Sequence, residues 1–225
     1  MRRWTALELI EISESGASLG PAARALQLLA AGGWPRDAAA ALTIGGRDRQ
    51  LFALRAAQFG PRIEVAQRCA ACGEDYEFAL TAADLGRDGA GEVREPASID
   101  GSSVRAITAG DLAAIEGQGD EAARTLLRAR VAPGGDAIDD DALDALLAEL
   151  DPDAELAIAA ACPECGTGAE IAFDVAAFFW DEIALRIPRL LQQVADLARV
   201  NHSSERDILA MPAARRRFYL AAAGA

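Results

Sequence analysis

Lysine is absent from this chain of 225 residues, so each of its 22 basic residues is an arginine, and histidine occurs once, as His202. A lone imidazole without a readable partner offers no general base, and neither a nucleophile–base pair nor paired carboxylates stand out elsewhere. A non-enzymatic protein without a small-molecule substrate is therefore expected. Aromatic residues are scarce at 5%, whereas 52% of the chain is apolar and most of that is Ala and Leu. Both are strong helix formers, which predicts a mostly helical fold packed through small side chains. No apolar run approaches the roughly 20 residues of a membrane span. The basic start Met1-Arg2-Arg3-Trp4 is followed by Glu8, Glu11 and Glu14 rather than by an apolar stretch. Neither a signal peptide nor a membrane role is expected, and the reducing cytosol is the expected compartment.

The net charge of −13 is unevenly placed. Between Gly73 and Ala161 stand 21 Asp and Glu against 6 Arg, whereas the rest of the chain holds 14 acids and 16 Arg. Such a middle segment repels phosphate, which disfavours nucleic acid as a partner.

Residues 5 to 58 read as helices separated by Gly and Pro. One runs from Ala22 to Ala31, between Gly20-Pro21 and Gly32-Gly33-Trp34-Pro35. Gly45-Gly46 reads as a break, and a helix from Asp48 to Gln58 ends at Gly60-Pro61. A short pattern then appears twice, 93 positions apart. Arg62 to Arg68 reads as a strand, Cys69-Ala70-Ala71-Cys72-Gly73 as a tight turn and Tyr76 to Leu80 as a return strand. Thr81 to Asp84 then has the form of a helix cap. In the second copy Glu155 to Ala161, Cys162-Pro163-Glu164-Cys165-Gly166 and Glu170 to Phe173 play the same parts, and Asp174 caps a long helix.

Between the copies, Gly86 to Gly91 reads as a Gly-rich connection, Ser103 to Ile107 as a strand, and Thr108-x-x-Asp111 as the start of a short helix broken at Gly117-Gln118-Gly119. Helices are expected over Asp120 to Val131 and Ile138 to Leu150, the second with Ile138, Ala142, Leu146 and Leu150 on one stripe. After Asp174 the apolar positions from Val175 to Leu197 follow three- and four-residue spacing, with Pro188 expected to kink or split the run. Ser203 or Ser204 caps a short helix through Leu209, and Pro212 opens the last one.

The four cysteines carry the chemistry. In a reducing compartment, two Cys-x-x-Cys-Gly turns point to a metal site rather than to disulfides. Two residues between paired cysteines let the backbone turn and aim both sulfurs at one point, and four thiolates suit a tetrahedral zinc ion. Cys69, Cys72, Cys162 and Cys165 are therefore the expected ligands of one structural zinc. Cys72 and Cys162 are separated by 89 residues, against roughly 15–20 in a compact ribbon. Loop-closure entropy grows only logarithmically with length, and zinc binding at about 10–16 kcal/mol exceeds it. Redox dithiols would use the same residues, but no thioredoxin-like strand–motif–helix pattern surrounds either pair. Buried cysteines without a metal are the remaining reading.

Other residues carry less. His202 reads as solvated or linked to a helix cap. Arg215-Arg216-Arg217 complements a helix end, faces solvent, or meets an acidic surface such as the chain's own middle segment. Phe178-Phe179-Trp180 reads as core, and Gly45-Gly46-Arg47 lacks the spacing of a phosphate loop.

The C-terminal third carries Phe173-Asp174-Val175-Ala176-Ala177-Phe178, Trp180-Asp181-Glu182-Ile183, Leu190-Leu191-x-x-Val194, Leu197-Ala198-Arg199, His202-Ser203-Ser204-Glu205-x-x-Ile208-Leu209 and Arg215-Arg216-Arg217-x-Tyr219-Leu220. In this order the segments resemble the baseplate hub assembly proteins, or chaperones, of T-even phages and related contractile injection systems. Gly46-Arg47-Asp48 and Phe59-Gly60-Pro61 extend the resemblance toward the N-terminus. Ser203 departs from it, because the family usually has an aromatic there. The resemblance implies a structural or assembly role in the bacterial cytoplasm or in an assembled particle, with baseplate hub, spike or wedge proteins as partners. A zinc-ribbon regulator associated with transcription or nucleic acid is the alternative. The expected fold is α+β, mostly α. It comprises an N-terminal helical segment (1–61), a split two-hairpin zinc ribbon (62–85 with 155–174), an acidic, mainly helical insertion (86–154) and C-terminal helices (175–225).

Overall fold

The computed structural model describes residues 2–89, 91, 94–99 and 101–222. Met1, Ala90 of the Gly-rich connection, Glu92, Val93 and Asp100 of the insertion, and the last three residues lie outside the described residues. The architecture is α+β: helices carry most of the chain, and the described strands form three separate two-stranded antiparallel hairpins.

Helix α1 (Ala6–Gly16) starts at a reciprocal cap in which Glu8 N donates to Thr5 Oγ1 at 3.2 Å and Thr5 N donates to the Glu8 carboxylate at 2.8 Å. Helix α2 (Pro21–Ala31) begins one residue earlier than expected, on Pro21 itself, and its N-cap is Gly20, which has no side chain to offer. Glu116 supplies the cap from a distant part of the chain, accepting from Ala22 N at 2.7 Å and Ala23 N at 3.2 Å. A short α3 (Arg36–Ala40) follows.

Helix α4 (Ile44–Phe59) corrects the expected break at Gly45-Gly46, because both glycines lie inside its first turn. Thr43 accepts from Gly46 N at 3.2 Å, and Asp151 accepts from Gly45 N at 2.8 Å. These two acceptors satisfy amides that a helix start leaves unpaired. A Cβ on Gly45 would collide with Asp153, so glycine here permits a close approach rather than ending a helix.

The main core joins α1, α2 and α4 to α8 (Val175–Asn201). Asp174 caps α8 as expected, its Oδ1 accepting from Ala176 N at 2.8 Å and Ala177 N at 3.0 Å. Phe179 is fully buried, stacked on Trp4 and edge-on to Phe59, each at 5.7 Å between centroids. Arg55, also buried, donates to both Glu182 oxygens at 2.8 and 2.7 Å and to the carbonyls of Gly60 and Arg62. One side chain thus joins the end of α4 to α8.

Pro188 does not split α8, which runs as one element from Val175 to Asn201. Its apolar stripe is buried on both sides of the proline, at Ile183 before it and at Leu190, Val194 and Leu197 after it, while Pro188 itself is exposed. The second half of the stripe forms its own cluster with Ile10 of α1 and with Ile208 and Leu209 of α9 (Glu205–Ala210). Ser204 caps α9, and α10 (Ala213–Ala222) follows Pro212.

The acidic middle segment has a core of its own, built from Val104, Val131, Ile138, Leu143 and Leu150 among others. The strand expected over 103–107 is shorter and has a partner that the sequence reading left out. Strand β3 (Ala97–Ile99) pairs with β4 (Ser102–Val104). Helix α5 (Ala109–Ile115) lies against α2 and α3, with Ala109 N donating to Leu42 O at 2.9 Å. Helix α6 (Asp120–Val131) has the expected bounds. Helix α7 (Asp140–Leu150) starts two residues late because Asp139 caps it, and it buries Leu143 and Leu150 while Ala142 and Leu146 are half-buried.

Asp111, wholly inaccessible, receives Arg105 at 2.6 Å, Arg130 at 2.6 Å and Thr108 N at 2.9 Å. Burial opposes its ionisation, but these donors outweigh burial and hold the carboxyl well below the ordinary carboxylate range.

Candidate metal centre

The first hairpin pairs β1 (Ile63–Arg68) with β2 (Asp75–Leu80), closing at Arg68 opposite Asp75. The second pairs β5 (Ala157–Ala161) with β6 (Gly168–Ala172), closing at Ala161 opposite Gly168. Both closing positions are shifted by the same 93 residues that separate the sequence motifs. The turns match bond for bond. Cys69 N donates to Glu74 O at 2.8 Å and Gly73 N to Cys69 O at 2.9 Å. Cys162 N donates to Thr167 O at 3.0 Å and Gly166 N to Cys162 O at 2.9 Å. Gly73 and Gly166 take φ of 78° and 73°, the left-handed region where a side chain is strained.

These paired turns bring the four sulfurs together. Cys69 Sγ lies 3.7 Å from Cys165 Sγ, Cys72 Sγ lies 3.7 Å from Cys162 Sγ, and all four fall within 4.8 Å of one another. Each close pair joins one hairpin to the other. Thiolates at about 2.3 Å from a tetrahedral metal would stand about 3.8 Å apart, so the spacing fits a four-sulfur metal site. It is far beyond the roughly 2.05 Å of a disulfide, and all four cysteines are free. The first cysteine of each pair is buried and the second exposed, which leaves one open edge to the cluster.

The environment favours negative charge unevenly. The Cys72 and Ala71 amides aim at Cys69 and hold its thiol below the usual range against the opposing effect of burial. Cys165 is lowered to about 6, first by the Thr167 hydroxyl, whose Oγ1 is 3.3 Å from Sγ, and then by the Thr167 amide. The Glu74 amide favours a Cys72 thiolate, but neighbouring Cys69, burial and the other two sulfurs push that thiol up to about 12. Four packed sulfurs resist carrying four charges, and a bound cation removes that conflict.

Tyr76, Phe78 and Ala160 pack around the buried sulfurs of Cys69 and Cys162. The hairpins share no strand pairing among the described residues. They face each other as two separate knuckles rather than forming one sheet. Ile63, Leu80 and Ile158 root both in the main core. Arg49 and Arg87 both pair with Asp153, tying α4 and the segment after β2 to the approach to β5.

The remaining candidate residues scatter. His202 is exposed and ends α8 in the left-handed region, with φ of 52°. Phe179 and Trp180 are core, and Phe178 is half-buried. Arg215 and Arg217 face solvent, whereas Arg216 turns inward and is 7% exposed. Thr167 escaped the sequence reading. Its only signal there is a hydroxyl two residues beyond Cys165. Comparison with protein-family models, curated proteins and solved structures returns no match.

Proposed function

We propose that Cys69, Cys72, Cys162 and Cys165 hold one structural zinc ion, and that the clamped body acts as a non-enzymatic structural or assembly protein of the baseplate hub of a contractile tail or injection system. The observation that carries the zinc reading is the convergence of four thiols from hairpins 93 positions apart. An all-sulfur tetrahedron selects a soft cation such as zinc. Four thiolates close the coordination shell and leave no position for a reactive water, so the ion would supply a cross-link rather than catalysis.

The ordered C-terminal segments that resemble baseplate hub assembly proteins support the second half of the proposal. So does the charge distribution, with an acidic middle segment and an Arg215-Arg216-Arg217 run near the C-terminus, which suits contacts with protein partners. The 21 acids against 6 Arg between Gly73 and Ala161 oppose a nucleic-acid regulator built on the same centre. Affinity capture of the tagged protein from cells producing contractile particles tests the role. Recovery of hub, spike or wedge proteins is expected, and their absence would overturn the assignment.

A further inference from the structure

A groove of about 940 Å³ runs between the start of α1, the middle of α8 and the α9–α10 junction. Its floor is apolar, with Trp4, Phe59, Leu190, Leu209 and Met211 among the lining residues. Two further leucines at its edge stay accessible, Leu7 at 41% and Leu185 at 79%. Five arginines line it (Arg3, Arg186, Arg189, Arg206 and Arg216), and no acidic residue among the described residues does, in a chain whose net charge is −13.

Three of the five arginines are uncommitted. Arg3, Arg189 and Arg206 are exposed and form no ion pair among the described residues. Arg186 is engaged within α8: it lies over Phe59 at 3.8 Å, donates to Glu182 O at 2.5 Å and pairs with the Glu182 carboxylate at 3.7 Å. Arg216 is the informative one. It is 7% exposed, its Nη1 donates to Met211 O at 2.7 Å, and its Nε has no partner among the described residues. A buried guanidinium without a carboxylate is a costly arrangement in a finished monomer. Arg216 lines the groove, so a carboxylate brought into it would offset the charge of this guanidinium.

We infer that this groove docks an acidic amphipathic segment of a partner protein, whose leucine-like face covers Leu7 and Leu185 and whose carboxylates meet Arg189, Arg206 and Arg216. Apolar contact supplies affinity, and the five cations select the charge of the partner and steer its approach. The inference gives the assembly role a docking surface but does not depend on it. A failed capture of tail proteins leaves the groove experiment unaffected.

The test uses the full chain and a fluorescein-labelled helical peptide of about 16 residues, with Leu at three- and four-residue spacing and Glu at the remaining charged positions. A copy with Lys replacing every Glu is the control. Fluorescence anisotropy is expected to show saturable binding of the Glu peptide, weakened several-fold between low and high salt, and at least tenfold weaker binding of the Lys peptide. Arg189→Glu with Arg206→Glu, both at exposed positions, is expected to lower affinity for the Glu peptide at least tenfold without changing the melting curve. Leu185→Ser separates apolar contact from charge and is expected to cost a smaller factor at any salt concentration. Four results would overturn the inference. They are no binding, equal binding of both peptides, displacement of the peptide by phosphatidylglycerol vesicles, and a dimer in sedimentation velocity that the double variant dissolves.

Discussion

The carboxylate of Glu116 accepts the backbone amide of Ala22 at 2.7 Å across 94 positions of sequence. With Asp151 on Gly45 N at 2.8 Å, it makes the acidic middle segment the source of caps for two N-terminal helices. Each carboxylate sits at the positive end of a helix dipole, so the excess of acid in this segment contributes to the fold.

Glu116→Gln keeps an acceptor but loses the charge, and Glu116→Ala loses both. The alanine variant is expected to be destabilised by about 1 kcal/mol, the usual cost of a lost cap. For a chain of this size that lowers Tm by roughly 2–4 °C, with the glutamine variant between it and the parent. Thermal melts followed by circular dichroism check the order.

Asp111 gives a pH signature. Its folded carboxyl titrates below its unfolded one because Arg105, Thr108 and Arg130 hold the charged form. A depressed carboxylate stabilises above the unfolded value near 3.9 and loses that contribution as pH falls through the lower, folded value. Asp111→Asn is expected to cost about 2 kcal/mol at pH 7, moderated because both arginines are partly exposed. The difference between parent and variant in urea unfolding should hold above pH 4 and shrink progressively as pH falls below it. Parallel curves down to pH 2 would show that Asp111 is not the group responsible.

Arg55 is a third point of failure. Its planar fork meets two carboxylate oxygens of Glu182 and two carbonyls at once. Lysine keeps the charge but cannot reproduce that geometry. Arg55→Lys is expected to lose about 2–3 kcal/mol, because a buried acceptor set is left partly unpaired. A loss comparable to that of exposed Arg62→Lys, whose partner Glu64 is also exposed, would contradict it.

Removal of metal supplies a fourth prediction. A chelator strong enough to strip zinc is expected to lower Tm and to expose four titratable thiols, none of which reacts beforehand. Cys72→Ser and Cys165→Ser should each mimic the stripped protein although their side chains are exposed, since each removes one of four ligands. A Tm insensitive to the chelator would show that the thiols hold no stabilising ion.

The elements that local chemistry dictates were legible in the sequence. The Cys-x-x-Cys-Gly turns, the Asp174 cap and the α6 bounds all depend on residues within a few positions. Misreadings arose where a distant group decides. Gly45-Gly46 lies in the first turn of a helix, where distant Asp151 supplements the local Thr43 cap. Thr81 and Asp84 form the expected cap, with Thr81 N donating to Asp84 at 2.7 Å, yet only a turn follows, ending at Gly86 with φ of 65°. Pro188 is tolerated because tertiary burial grips α8 on both sides. The inward turn of Arg216, within a run that reads as solvated, follows from the α9–α10 junction and has no local signature.

X-ray absorption at the zinc edge, on protein purified without added metal, addresses the four-sulfur centre most directly. One zinc per chain with four sulfur scatterers at about 2.3 Å is expected. A shell containing nitrogen or oxygen with only two sulfurs would mean that the hairpins bind separately or not at all, and would contradict the cross-link between Cys69–Cys72 and Cys162–Cys165.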